Sequence, residues 1–234
     1  MFTKGMMLLL IPLVNLLYTP LNHDNGRVHS FVTSFDKLIP FSRYFVIPYI
    51  GWYVLIFATM LWILFKNTKL YFTSLTAIVI GLLISFGVYS VFQTTVPRPV
   101  VSGQDFLSRL IRGVYALDNP YNAFPSIHVM TSSILWLVSS RARSYSKKIT
   151  LLIKVLVIII ISSTLFLKQH TLLDVAGGIV LGGLVFSAVE KFSPIYLNRP
   201  AVKGSRFYQP VSEITQLLAK ERQSGFIPEL SNRS

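Results

Sequence analysis

The chain has 234 residues, of which 52% are hydrophobic and only 13% charged, and its mean hydropathy is +0.57; a soluble globule of this size carries more charge than that. It contains no cysteine, which excludes disulfides, thiolate metal sites and cysteine nucleophiles. The net charge of +13 could point to nucleic acid, but the basic residues lie mainly between and after apolar runs, so an integral membrane protein with no nucleic-acid partner is expected.

A spanning helix needs roughly 20 mostly apolar residues, and six stretches qualify or come close. The first, roughly 5–21, is short and interrupted by Pro12 and Asn15. Lys4 and the run Met6 to Leu10 resemble a signal peptide, but no small-x-small cleavage site follows, so an uncleaved first helix is expected. Next, Val28, Phe31, Val32, Phe35, Leu38 and Ile39 recur at helical spacing and predict a short helix lying in the interface, apolar face down. Spans follow at about 46–65 and 71–92, joined by a turn with Lys66 and Lys69. After them comes Val96-Pro97-Arg98-Pro99, and then a second interfacial helix carrying Phe106, Leu107, Leu110, Ile111 and Val114.

The fourth span, about 124–140, opens with Phe124-Pro125-Ser126-Ile127-His128; a basic turn from Arg141 to Lys148 leads to the fifth, about 149–167. Lys168-Gln169-His170-Thr171-Leu172-Leu173-Asp174 then leads into the sixth, about 171–189, where Gly177-Gly178 and Gly182-Gly183 permit close helix packing. Residues 191–234 mix Pro, Gly, Ser and charge, with one helix-like piece near Ser212 to Arg222, and read as a flexible basic appendage. The expected fold is therefore all-α and polytopic, with six transmembrane helices in one domain, 1–190, followed by a tail.

Six spans put both termini on one side, and the positive-inside rule makes that side cytoplasmic: it carries 15 of the 22 Lys and Arg residues. Arg98, His128, Lys168 and His170 then all fall on the extracytoplasmic face. Their convergence predicts a composite site.

His170 and Asp174 stand four apart at a helix start, hence on one face and one turn apart. A carboxylate there can fix the imidazole tautomer and leave the other ring nitrogen as a nucleophile. His128, from a different span, is placed to act as general acid and then general base. Arg98, stiffened between two prolines, offers a planar fork for phosphate oxygens, and Lys168 adds a second charge. Pro125 fits the first helical position, which would put Ser126 and free backbone amides at a positive helix N-terminus. No Asp, Glu or His cluster has metal-ligand spacing, so metal-independent chemistry without a cofactor is expected.

These residues resemble the type 2 phosphatidic acid phosphatase (PAP2) superfamily, whose motifs are K-x6-R-P, P-S-G-H and S-R-x5-H-x3-D. Arg98-Pro99 is similar to the end of the first, Pro125-Ser126-Ile127-His128 to the second, and Ser163-Thr164 through His170 to Asp174 to the third. The resemblance covers about residues 5–190. It implies that His170 is the nucleophile forming a phosphohistidine, Asp174 its partner and His128 the acid/base, with Arg98 and Ser126 binding phosphate. Three positions depart from the pattern: Val91 stands where the family has lysine, Ile127 replaces the glycine, and Thr164 replaces the arginine. Lys168, or else Arg109 or Arg112, is then needed to compensate for the missing cations.

The expected function is hydrolysis of a lipid phosphate, such as a phosphatidate, phosphatidylglycerol phosphate or polyprenyl diphosphate, at the outer membrane face. The Phe-Pro-Ser-x-His form also resembles a branch that includes inositol phosphorylceramide synthases, so transfer of a phospho-head group to a lipid or polyol acceptor is the alternative. An inactive binding protein or transporter on the same fold is a third reading. Transporters tend to hold their polar residues near the midplane, and here they sit at span ends.

Overall fold

The computed structural model describes residues 2–192, so almost all of the expected tail, with its helix near Ser212 to Arg222, lies outside the described residues. The protein is an all-α, multi-pass membrane protein. Five helices are long and apolar enough to cross a membrane: α1 (Thr3–Leu21), α3 (Arg43–Lys66), α4 (Thr68–Val91), α7 (Lys147–Phe166) and α8 (Leu172–Phe192). Between them lie α2 (Ser34–Leu38), α5 (Phe106–Leu117) and α6 (Ile127–Arg141). Two-residue strands β1 (Val28–His29) and β2 (Gln93–Thr94) pair in parallel.

The segment expected as the fourth span is α6, only 15 residues long. Such a helix rises about 22 Å, less than the ~30 Å of a hydrocarbon core. It compensates by position. α6 packs against α3, α4, α7 and α8, and Met130, Ile134 and Leu135 on it are fully buried. Outward, Leu13, Leu16, Val54, Phe65, Leu151 and Leu184 are each at least 60% exposed, an apolar exterior that suits lipid and not water.

Helix ends are fixed by polar caps. Asn67 alone separates α3 from α4, and its side chain accepts the Leu70 N–H. Asp105, Ser126 and Ser146 cap α5, α6 and α7 in the same way, through Ser108, Val129 and Ile149. α1 alternates α and 3-10 turns, with Pro20 inside its last 3-10 stretch, because proline cannot donate to the helical ladder.

Both expected interfacial helices differ from the sequence reading. In the first loop Val28 and His29 join a strand, and the helix shrinks to Ser34–Leu38, where a Thr33–Asp36 capping box starts it. In the second loop the helix is present as α5, but its apolar face turns inward: Leu107, Leu110, Ile111 and Val114 pack with Val46, Tyr49 and Leu167. Of its large apolar side chains, only Phe106 and Leu117 at the two ends remain largely exposed.

Candidate active site

The chain reverses between α7 and α8 in a turn that holds His170. Lys168 adopts a left-handed conformation at φ +53, and the N–H groups of Gln169 and His170 both donate to the Thr164 carbonyl. α8 then starts on a reciprocal cap: Asp174 Oδ2 accepts the Thr171 N–H at 2.6 Å, and Thr171 Oγ1 accepts the Asp174 N–H at 3.3 Å. The same Asp174 oxygen lies 3.8 Å from His170 Nδ1, beyond hydrogen-bond reach. The Nδ1 partner is instead the Ala123 carbonyl, at 3.0 Å. Since a carbonyl can only accept, Nδ1 carries the hydrogen and Nε2 keeps its lone pair. Burial pushes the His170 imidazole down to about 3; the Ala123 bond opposes this and the charge of Arg98 adds to it.

His128 enters from the first turn of α6. The sequence reading put Pro125 at the first helical position, but the helix begins at Ile127 and Ser126 is its cap, fully buried with its hydroxyl accepting the Val129 N–H. The Ser126 N–H donates to the Asp174 carbonyl at 3.2 Å, and Tyr89 donates to the Pro125 carbonyl at 2.5 Å. These bonds tie the α6 start to that of α8 and to α4. The imidazole of His128 lies against Tyr49 and Trp52, with centroids 4.6 and 4.1 Å away, and 5.9 Å from the ring of His170. Its Nδ1 is buried without a partner.

Arg98 is held from several sides. Nη1 donates to the Asp118 carbonyl, Nη2 donates to the Asn119 carbonyl at 3.3 Å and to Gln169 Oε1, and the guanidinium lies 4.7 Å over the Tyr115 ring. Its Nε–H and the Gln169 amide nitrogen are buried without partners. Arg98, His128, Gln169 and His170 line one cavity of about 480 Å³, together with Asp118 and Arg109. Three of these lining residues, Arg98, His128 and Gln169, each carry a buried polar atom without a partner. Burial raises the Asp118 carboxyl above the usual range, against the opposing bonds of Tyr18 and Asn22 and the charge of Arg98.

Arg98, His128 and His170 thus come together, with Asp174 behind His170. Lys168 lines a neighbouring cavity with Arg98 and His170, and its Nζ donates to the carbonyls of Asp36 and Ile39, at 2.9 and 2.5 Å. Arg112 is likewise spent on the carbonyls of Val101 and Gly103. Among the described residues, no group of three or more His, Asp or Glu side chains could hold a metal ion.

A family model described as the PAP2 superfamily matches residues 28–188. The chain belongs to the PAP2 superfamily. Searches of curated proteins and of solved structures returned no match. Two of the three positions that depart from the PAP2 motifs have contrasting surroundings. Val91, where the motif has lysine, is 84% exposed at the end of α4, and Thr164, where it has arginine, is fully buried with its hydroxyl on the Ile161 carbonyl. Gln169, Ala123, Asp118 and the Tyr49–Trp52 pair belong to this site and were missed in the sequence. Gln169, adjacent to His170, offered a signal by position; a backbone carbonyl and a loop aspartate offered none.

Proposed function

We propose that the protein cleaves the phosphoester or phosphoanhydride bond of a membrane lipid by way of a phosphohistidine on His170, without metal or cofactor. The observation that carries this reading is the cavity lined by Arg98, His128 and His170, in which two imidazoles stand 5.9 Å apart. That gap lets one phosphoryl group contact both rings. His170 Nε2 attacks phosphorus, and the P–O bond breaks with its electrons passing to the leaving oxygen, which takes a proton from His128. Water then gives its proton to His128 and attacks phosphorus, and the P–N bond breaks. Asp174, 3.8 Å from Nδ1, offsets the positive charge on the ring while the phosphoryl group is attached. Arg98 binds the phosphoryl oxygens through its remaining N–H groups.

Arg109, an exposed cation on α5 at the cavity wall, supplies the second charge in this reading, because the Lys168 ammonium and the Ser126 hydroxyl are both engaged by the fold. We read α6, fourth in chain order, as a span as well, which makes six; in this reading the basic turns and both termini face the cytoplasm and the site faces the extracytoplasmic side. The substrate tail stays in the bilayer beside Ile50, Leu110 and Leu117 of the cavity wall.

Transfer to an alcohol is a second reading, favoured by a specific feature: Asn15, Tyr18, Thr19, Asp118 and Tyr121 also line the cavity and bring polar groups that suit an acceptor alcohol. Purified protein offered a panel of lipid phosphates, with and without alcohol acceptors, separates the two. Phosphate release independent of acceptor supports hydrolysis; product formed only with acceptor supports transfer. No reaction with any lipid phosphate contradicts both.

A further inference from the structure

His170 is bracketed by contacts from a loop far away in sequence. Lys168, two residues before it, reaches the carbonyls of Asp36 and Ile39. Leu172, two residues after it, donates its N–H to Asp36 Oδ1 at 2.7 Å. A third bond, from the Ser42 N–H to the Phe166 carbonyl at 3.0 Å, pins the same loop to the end of α7.

Asp36 is the centre of this clamp. Its Oδ2 accepts from the Thr33 N–H at 2.7 Å and the Thr33 hydroxyl at 2.5 Å, so both carboxylate oxygens are engaged, and the residue is buried. The first N–H groups of a helix have no partner within it. At the start of α8 two acids divide them, Asp174 taking that of Thr171 and Asp36 that of Leu172. Burial alone pushes the Asp36 carboxyl up; the bonds from Thr33 and Leu172 and the charge of Lys168 outweigh that and hold it below the usual carboxylate range. It is therefore a charged cap, supplied from 136 residues away.

We infer that Asp36, acting together with Lys168, is a positioning residue for His170: the α2 loop grips the turn on both sides of the nucleophile and sets where its ring stands relative to the phosphoryl group. This rests on the nucleophilic role proposed above for His170. It assigns the Lys168 cation to the clamp and not to the substrate. No motif marks Asp36, because its partners are backbone groups of a distant turn. The consequence is kinetic. Near-attack geometry requires the reacting atoms within about 3–3.5 Å, and a misplacement of about 1 Å can cost on the order of 10²-fold in rate.

The test is a double-mutant cycle on the full chain in detergent, reading kcat, KM and the yield of acid-labile, base-stable phosphoenzyme trapped from radiolabelled lipid phosphate. Asp36→Ala and Lys168→Met should each lower kcat about 10–100-fold with KM little changed. Asp36→Asn, which keeps an oxygen for Leu172, should lose less. The Asp36→Ala/Lys168→Met double variant should be no worse than the poorer single variant, since either change opens the same clamp. Losses that multiply, or a Lys168→Met effect confined to KM, would show Lys168 on the substrate and overturn the inference. So would wild-type phosphoenzyme yield in Asp36→Ala. Hydrogen exchange of the segment 167–173 should rise in both single variants, a reading that does not depend on turnover; unchanged exchange also overturns the clamp. Turnover by the wild type with no phosphohistidine at all removes the nucleophilic reading, and this inference with it.

Discussion

The nucleophilic role proposed for His170 rests on what its ring meets. The Ala123 carbonyl takes the Nδ1 hydrogen, burial keeps the ring neutral, and the cavity receives the rest. A pH dependence follows. With a pKa near 3 in the folded protein against 6.5 for the ordinary side chain, the unfolded chain takes up a proton between those values that the folded chain refuses. Stability from this group therefore falls as pH drops through that window and is unaffected above it. In ¹⁵N-histidine NMR spectra, the His170 ring signals should stay in the neutral form from pH 8 to 5; a midpoint near 6.5 would show that burial does not hold the ring neutral. At this scale the sequence is legible where side chains stand in a local pattern, as at Arg98, His128 and His170, which line one cavity. It is illegible where the partner is a carbonyl or comes from another loop. Neither Ala123 beneath His170 nor Asp36 beside Leu172 has a spacing that announces it. The contacts of Lys168 fail to show for the same reason: a lysine two residues from the proposed nucleophile suggests an anion partner, and only the fold shows carbonyls there.

Among the elements, α6 and α8 set the distance between the two imidazoles, and glycine lets them approach. A Cβ at Gly178 would stand 2.7 Å from the Ser126 carbonyl oxygen and 2.8 Å from Val129 Cβ, next to the turn that carries His128. At Gly183 a Cβ would meet nothing within 4 Å. Replacing helical glycine by alanine gains up to about 1 kcal/mol where there is room, while overpacking costs typically about 1–3 kcal/mol. Gly178→Ala should therefore lower the thermal midpoint in detergent and reduce kcat, whereas Gly183→Ala should leave both unchanged or raise the midpoint. Equal behaviour of the two variants would mean that the α6–α8 contact is not what positions His128. The double-glycine pattern is readable as close packing at Gly177, Gly178 and Gly182 but not at Gly183, and the long apolar runs are readable as helices. The loops are less so. Helical spacing in residues 28–39 is overridden by pairing of β1 with β2, and the apolar stripe of α5 finds Tyr49 and Leu167 in place of lipid.

Along the sequence, basic residues concentrate at the turns Lys66 to Lys69 and Arg141 to Lys148 and in the tail; in the bundle the two turns lie at helix ends opposite to those that lead to Arg98, His128 and His170. The chain lacks cysteine, so single cysteines report sidedness directly. A cysteine at exposed Gln104 should react with an impermeant maleimide from outside intact cells and one at exposed Ser144 should not; the reverse labelling would place the cavity in the cytoplasm. The apolar exterior and the sequence's long runs agree on a membrane protein, but the number of crossings turns on α6, whose 15 residues are shorter than the run that predicted it. One chemical event underlies all these proposals, the transfer of a phosphoryl group to His170. It is tested most directly by quenching the wild type and His170→Ala during turnover of a ³²P-labelled lipid phosphate in excess EDTA, and assaying the protein for acid-labile, base-stable label. Label on the wild type, confined to a peptide containing His170 and absent from His170→Ala, is the expected result. Turnover without such label, label that persists in His170→Ala, or turnover that stops with EDTA and returns with Mg²⁺ or Zn²⁺ would contradict the account.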